Sequence, residues 1–286
     1  MGLFLEHNNQ KWKKYVRNTL VLAFLTLFAA ATLFPIYFMI ISSFGPPVEA
    51  GAANLELFPS TFSLDSYLFF FNYSPYSVRW LFNSLIVSII IVVSNVLFSG
   101  LAAYAFSKIR FRFSNAFFLI MLTAMMIPYQ VTQVPLYVLV VNKLQLQNTY
   151  AALILPNLCS VYNIFLCKQF MSSIPTSIME CAKIEGCSHP RIYMSIVAPL
   201  SKTALAVMAI TTFMDNWNTF FWPFLVTSKV EMQTIQVGLK NFRFANTTYF
   251  APMMAGATIA AIPMFVLFFS LQKYFLEGIT VGAVKG

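Results

Sequence analysis

Charge is what this sequence has least of: 9% of its 286 residues are Asp, Glu, Lys or Arg, against about 25% in a soluble domain. So few solvated groups cannot cover a water-exposed surface of this size, which excludes a soluble protein with an oversized core. Cysteine is scarce too. The four are Cys159, Cys167, Cys181 and Cys187, none in Cys-x-x-Cys spacing, and His7 and His189 lie far apart. No zinc or iron–sulfur site, and no metal ligand set of any kind, is expected from them. A Gly-x-x-x-x-Gly-Lys-Ser/Thr phosphate loop is missing, and Lys202 and Lys285 stand outside any such context. The chain is therefore expected to hydrolyse no ATP, to bind no cofactor and to have no catalytic residue of its own. The net charge of +9 comes from short basic clusters between apolar runs. A basic face with interleaved aromatics is absent, so nucleic acid is not an expected partner.

What is abundant is apolar: 59% of residues are hydrophobic, with 31 Phe and 13 Tyr, and the mean hydropathy is +0.72. A helix needs about 20 mostly apolar residues to cross the hydrocarbon core. Six stretches qualify, at 18–42, 82–106, 115–140, 150–171, 203–227 and 252–275. The first follows Lys11, Lys13, Lys14 and Arg17, as a signal peptide would. Its run is longer than a signal core of about 7–15 residues, and no small-residue cleavage site follows closely, so it reads as a retained helix. With the N-terminus placed in the cytoplasm, thirteen Lys and Arg fall inside and five outside. That bias predicts two cytoplasmic termini. The expected division is a cytoplasmic segment 1–17, a six-helix membrane domain 18–275 and a cytoplasmic tail 276–286. The outer loops 43–81 and 228–251 and the inner loop 172–202 are the long connections.

The inner loop reads as a structured element. Pro175 and then Ser177-x-x-Glu180 form a capping box, with Ser177 capping and Glu180 reaching back. Gly186 ends that helix in a left-handed conformation. Pro190 opens a second short helix, and Pro199 precedes the next span. The small Ala182 would let a partner surface approach. On these residues the chain resembles the membrane-spanning permeases of ABC importers. Their EAA loop has Glu-Ala-Ala, three residues, Gly, nine residues and Ile-x-Leu-Pro. Glu180, Ala182, Gly186, Ile196 and Pro199 match at that spacing, while Cys181 and Ala198 depart from it. Trp80-Leu-Phe-Asn83-Ser84-Leu85, Asn216-Trp217-Asn218 with Phe221-Trp222-Pro223, and the ending from Gln272 to Gly286 look like the carbohydrate-uptake permeases, in particular the maltose-type second permease.

The resemblance implies an all-α membrane protein of the type I importer permease fold, in a bacterial or archaeal cell (inner) membrane, with a cytoplasmic EAA helix–turn–helix. It implies a transporter subunit that forms half of a path for a sugar or oligosaccharide. Its implied partners are a homologous second permease, two ATP-binding-cassette ATPase subunits that hold ATP and Mg, an extracellular solute-binding protein touching loop 228–251, and membrane lipid. Glu180, Cys181, Ala182, Gly186, Ile196 and Pro199 would couple to the ATPases. Gly282, Lys285 and Gly286 would enter the ATPase interface. For the substrate, Asp215, Asn218, Thr219 and Trp222 share one face at i, i+3, i+4 and i+7 if the fifth span is a continuous helix. A carboxylate and amide beside an aromatic ring suit a sugar. Gly256 with Ala260 and Ala257 with Ala261 would pack helices closely. Two alternatives stand: an ABC permease for a non-sugar solute such as glycerol phosphate, and an ion-gradient-driven secondary transporter. The latter calls for several intramembrane carboxylates and often an internal repeat. Only Asp215 lies well inside a span, and no repeat is visible.

Overall fold

The computed structural model describes residues 2–47, 58, 61–242 and 249–283, with side chains described between 14 and 273 of these. Every regular element among them is helical. We number them α1 (Gly2–Ser42), α2 (Asp65–Tyr73), α3 (Ser77–Lys108), α4 (Ser114–Ala124), α5 (Tyr129–Lys143, its last turn a π-helix) and α6 (Tyr150–Asn157). Then follow α7 (Val161–Ser172), α8 (Thr176–Ile184), α9 (His189–Leu200), α10 (Lys202–Asn218), α11 (Phe221–Val226), α12 (Ile235–Lys240) and α13 (Phe250–Ala283). Three helices are long and apolar enough to cross a membrane, and up to six if each of three bent helix pairs counts as one span.

The expected spans are therefore all helical, but three are not single rods. The stretch 115–140 breaks after Ala124 and bends by 89° into α5. Pro128 stands at the break, where it has no N–H to continue the ladder. The stretch 150–171 bends by 41° between α6 and α7, with Pro156 just before the break. The third bent pair is α9 and α10, which turn by 82°; within the stretch 203–227, α10 ends at Asn218 and Thr219 is extended. In a continuous helix Pro223 would collide with the Thr219 carbonyl; the break places Pro223 in the first turn of α11, where its missing N–H has no cost. At the ends the helices outrun the apolar stretches. α1 includes most of the expected cytoplasmic segment 1–17, and α13 continues to Ala283.

The chain divides into two units, Met1–Asn72 with Phe242–Ile259 and Tyr73–Asn241 with Ala260–Gly286. In the first, Ser66 Oγ donates to the Gly45 carbonyl (2.6 Å), and Phe70 stacks on Phe242. The side chains of α1 from Leu20 to Leu33 that are large and apolar, Phe24 and Phe28 among them, are exposed. That suits a helix whose surroundings are lipid or another chain.

In the second unit α3 is the axis, 32 residues long and so about 48 Å. It packs on α7 and α10, and small buried residues such as Ser88, Ser99, Gly100 and Ala103 let them approach. Polar anchors occur along its whole length. Near its start, Trp80 Nε1 donates to the Val230 carbonyl (2.7 Å), and Asn83 Nδ2 to those of Glu231 and Gln233 (2.9 and 2.8 Å). Gly238 lies flat on the Trp80 indole, where any Cβ would collide with the ring. Near its end, Lys108 Nζ donates to the Ile174 carbonyl (2.5 Å), and Tyr104 hydrogen-bonds His189 Nδ1 (3.0 Å). The Asn83-Ser84 pair thus holds the segment 230–235, with Ser84 Oγ accepting from the Ile235 N–H (2.9 Å).

Candidate functional site

Two places in the second unit gather the residues singled out in the sequence. The first is the hairpin α8–α9. It is the expected helix–turn–helix, and Gly186 ends α8 with φ +78°. Its N–H donates to the Lys183 carbonyl (2.9 Å) and the Cys187 N–H to that of Ala182 (2.9 Å). These two bonds are a Schellman closure, which a residue with a Cβ enters only under strain. The expected capping box is not formed. Pro175, extended at ψ 133°, is the N-cap, so α8 begins at Thr176, Ser177 lies inside it, and no side chain caps it.

Ala182 also corrects an expectation. It is buried with Met179, Ile192 and Tyr193 in the core that includes Tyr104 and Met171. Its small size fits α8 onto this chain, not onto a partner. The outward face carries Glu180, Cys181 and Gly186, and with them Ile178 and Ile184. Ile184 is 87% exposed. An isoleucine turned into water at the tip of a capped hairpin is a residue the motif did not point to. Its signal was its place one turn after Cys181, opposite Met179 and Ala182. Ile196 is half-buried and Pro199 exposed, on α9. Gly282 lies in α13, its surroundings undescribed, and Lys285 and Gly286 lie outside the described residues.

The second place is a cavity of about 520 Å³, within the size range of small-molecule sites. Asp215 and Thr219 line it; Asn218 does not. Trp222 does not either. It is 2% exposed in the core of Val87, Ile91 and Leu153, beyond the break that ends α10. Its Nε1–H donates to the Ala152 carbonyl (3.0 Å). The reason is local: Ala152's helical partner four residues on is Pro156, which has no N–H to give. The expected single face of Asp215, Asn218, Thr219 and Trp222 required one continuous helix, and Pro223 prevents it.

Apart from Asp215 and Thr219, the lining escaped the sequence. Tyr129, Asn157, Cys159, Ser160 and Thr219 lie at the three helix breaks, and all of them line the same cavity. At membrane depth, irregular backbone is tolerated only where it is buried in protein or lines a water-filled cavity. Behind them stands a buried amide network. Asn95 Nδ2 donates to the Ile91 and Asn157 carbonyls (3.0 and 2.8 Å), the second a carbonyl freed by the α6–α7 break. Asn163 Nδ2 donates to Asn95 Oδ1 and Thr212 Oγ1 (both 2.9 Å), and Ser99 Oγ to Asn95 Oδ1 (3.1 Å). Both N–H groups of Asn95 and both of Asn163 are thereby used inside the wall. Also facing the cavity are hydroxyls, the Cys159 thiol, the amides of Asn157 and Asn216, each with one N–H spent on a helix carbonyl, and the Asp215 carboxylate.

A helical membrane chain with broken spans around a polar cavity and a capped hairpin is the form of an importer permease. The chain belongs to the family described as binding-protein-dependent transport system inner membrane component, whose model matches residues 95–281. It is thus a membrane-spanning permease subunit of an ABC importer. It is 36% identical to the arabinooligosaccharides transport system permease protein AraQ of Halalkalibacterium halodurans, over 94% of this chain and 95% of that one. It is 30% identical to the sn-glycerol-3-phosphate transport system permease protein UgpE of Escherichia coli, over 95% and 97%. Among solved structures, a bacterial ABC transporter that imports the acidic polysaccharide alginate has the same fold, with a TM-score of 0.80 at 22% identity over 91% of this chain and 96% of that one.

Proposed function

We propose that this permease carries a sugar or oligosaccharide, pairing with a homologous second permease to enclose the path. The observation that carries it is the convergence of three helix breaks on one cavity lined by hydroxyls, amides and a carboxylate. Such groups exchange hydrogen bonds with a polyol without a tightly held cation or anion. The AraQ relatives are named for arabinooligosaccharides, which supports the same class.

In this reading α8–α9 faces the cytoplasm, and Glu180, Cys181, Gly186 and Ile184 seat in one of two ATP-binding-cassette subunits, which hold ATP and Mg. Ile196 and Pro199 keep α9 in place behind them. Both termini are cytoplasmic, and Gly282, Lys285 and Gly286 approach the ATPase interface. The segment 228–251 meets an extracellular solute-binding protein. The test is purification from native membranes followed by uptake in proteoliposomes. An ATPase and a second permease should co-purify, and neutral oligosaccharide uptake should require ATP and the binding protein. Uptake driven by an ion gradient without ATP would sink it; uptake of glycerol phosphate alone would replace the sugar by the other cargo.

A further inference from the structure

We infer that Asp215 makes the cavity a charge filter, admitting neutral polyhydroxylated solutes and rejecting anionic ones. This deepens the sugar reading and rests on it for the cavity being part of the path. Among the described residues that line the cavity, Asp215 is the only charged side chain, with no lysine, arginine or histidine. Its carboxylate is exposed and has no hydrogen-bond or ion-pair partner among the described residues. The neighbouring Asn216 turns away from it, donating to the Thr212 carbonyl (2.8 Å).

Asn95 and Asn163 spend their N–H groups within the wall, Asn157 and Asn216 spend one each on helix carbonyls, and none of these amides carries a charge to set against the carboxylate. An unpaired carboxylate in a concave, protein-walled space focuses its field into that space. A passing sulfate, phosphate or uronate would meet uncompensated negative potential there. A neutral sugar would instead find an acceptor for two hydroxyls. The cargoes named for two similar proteins, sn-glycerol-3-phosphate and the acidic polysaccharide alginate, are anionic. This cavity is built against such charge.

Cys159 is exposed and lines the same cavity, so it reports the field directly. The assembled importer carrying Cys181→Ala and Cys187→Ala is treated with two methanethiosulfonates of similar size, trimethylammonium-ethyl and sulfonato-ethyl. Modification of Cys159 is followed by mass spectrometry, and rates are normalised to a small free thiol. The cationic reagent should be favoured by about tenfold, the size of effect one carboxylate exerts over several ångströms at a protein surface. Asp215→Asn should bring the ratio close to one, and Asp215→Glu should keep it. A ratio equal in native and Asp215→Asn importers overturns the filter. So does a Cys159 that neither reagent reaches, since the cavity would then be closed to water. The ratio does not depend on the cargo, so failure of the sugar reading would show separately, as ATP-driven uptake of another solute with the ratio intact.

Discussion

The hairpin α8–α9 and the cavity at Asp215 are built in opposite ways. The hairpin comes from one unbroken stretch of chain, closes with local backbone bonds at Gly186, and turns apolar side chains outward. The cavity is assembled from α3, α7, α10 and three helix breaks far apart in sequence, and its polar groups are turned inward on each other. A part that must be gripped from outside needs a fixed shape and an exposed face. A part that must let a solute pass needs polar walls whose own bonds are already satisfied, so that they do not hold the solute. A single glycine fixes the first, and buried amides fix the second.

The largest effect expected on the hairpin side comes from Gly186→Val. Nothing lies within 4 Å of a Cβ built there, so any loss is conformational and not a clash. The left-handed backbone costs a residue with a Cβ about 1–2 kcal/mol, enough to tilt the hairpin out of its seat. ATP-driven uptake should fall by about tenfold or more, with membrane insertion intact. Gly186→Asn, which tolerates that conformation, should retain most uptake. If both variants transport normally in proteoliposomes, the hairpin is not the rigid part.

On the cavity side the counterpart is Asn163→Leu. It removes the donor to the buried Thr212 Oγ1 and one of two donors to Asn95 Oδ1, which keeps Ser99 Oγ. A buried group left without its partner costs about 1–3 kcal/mol, so thermal unfolding of the purified complex should shift down by a few degrees, and uptake should fall with it. An unchanged midpoint would mean the network is not what holds the wall.

Ala182→Leu separates the two faces of α8. Three added carbons in a filled core cost about 1–3 kcal/mol, so this variant should destabilise the chain itself. Cys181→Leu, one residue away on the exposed side, should leave unfolding unchanged and act, if at all, on ATPase co-purification. The reverse outcome would return Ala182 to the partner surface where the sequence put it.

The contrast also explains how far the sequence could be read. The hairpin was legible because its determinants are neighbours: Gly186 between two short amphipathic runs and Pro190 after it. The cap and the facing of Ala182 were misread: Pro175 sets the N-cap two residues before Ser177, and Ala182 packs inward. Six apolar stretches were legible as helices for the same reason, local composition. The cavity was not, because its wall depends on which helices break. Pro128, Pro156 and Pro223 were visible, but a proline inside a membrane helix is compatible with a kink as well as with a break, and only packing decides. Asp215 and Thr219 were found through their polarity within an apolar run. Asn95 and Asn163, just as polar, were passed over because nothing in the linear order brings α3 beside α7.

Trp222 gives the smallest effect and the sharpest reading of that failure. The sequence made it a stacking platform for sugar; the structure makes its Nε1–H the donor that replaces the one Pro156 lacks. Trp222→Phe keeps an aromatic ring and removes that donor. If the side chain is structural, the Ala152 carbonyl loses its partner and the midpoint drops by the equivalent of about 1 kcal/mol, while the apparent KM for solute stays as it was. A changed KM with an unchanged midpoint would place Trp222 back on the path, and α10 and α11 would then have to act as one continuous face that the extended Thr219 now interrupts.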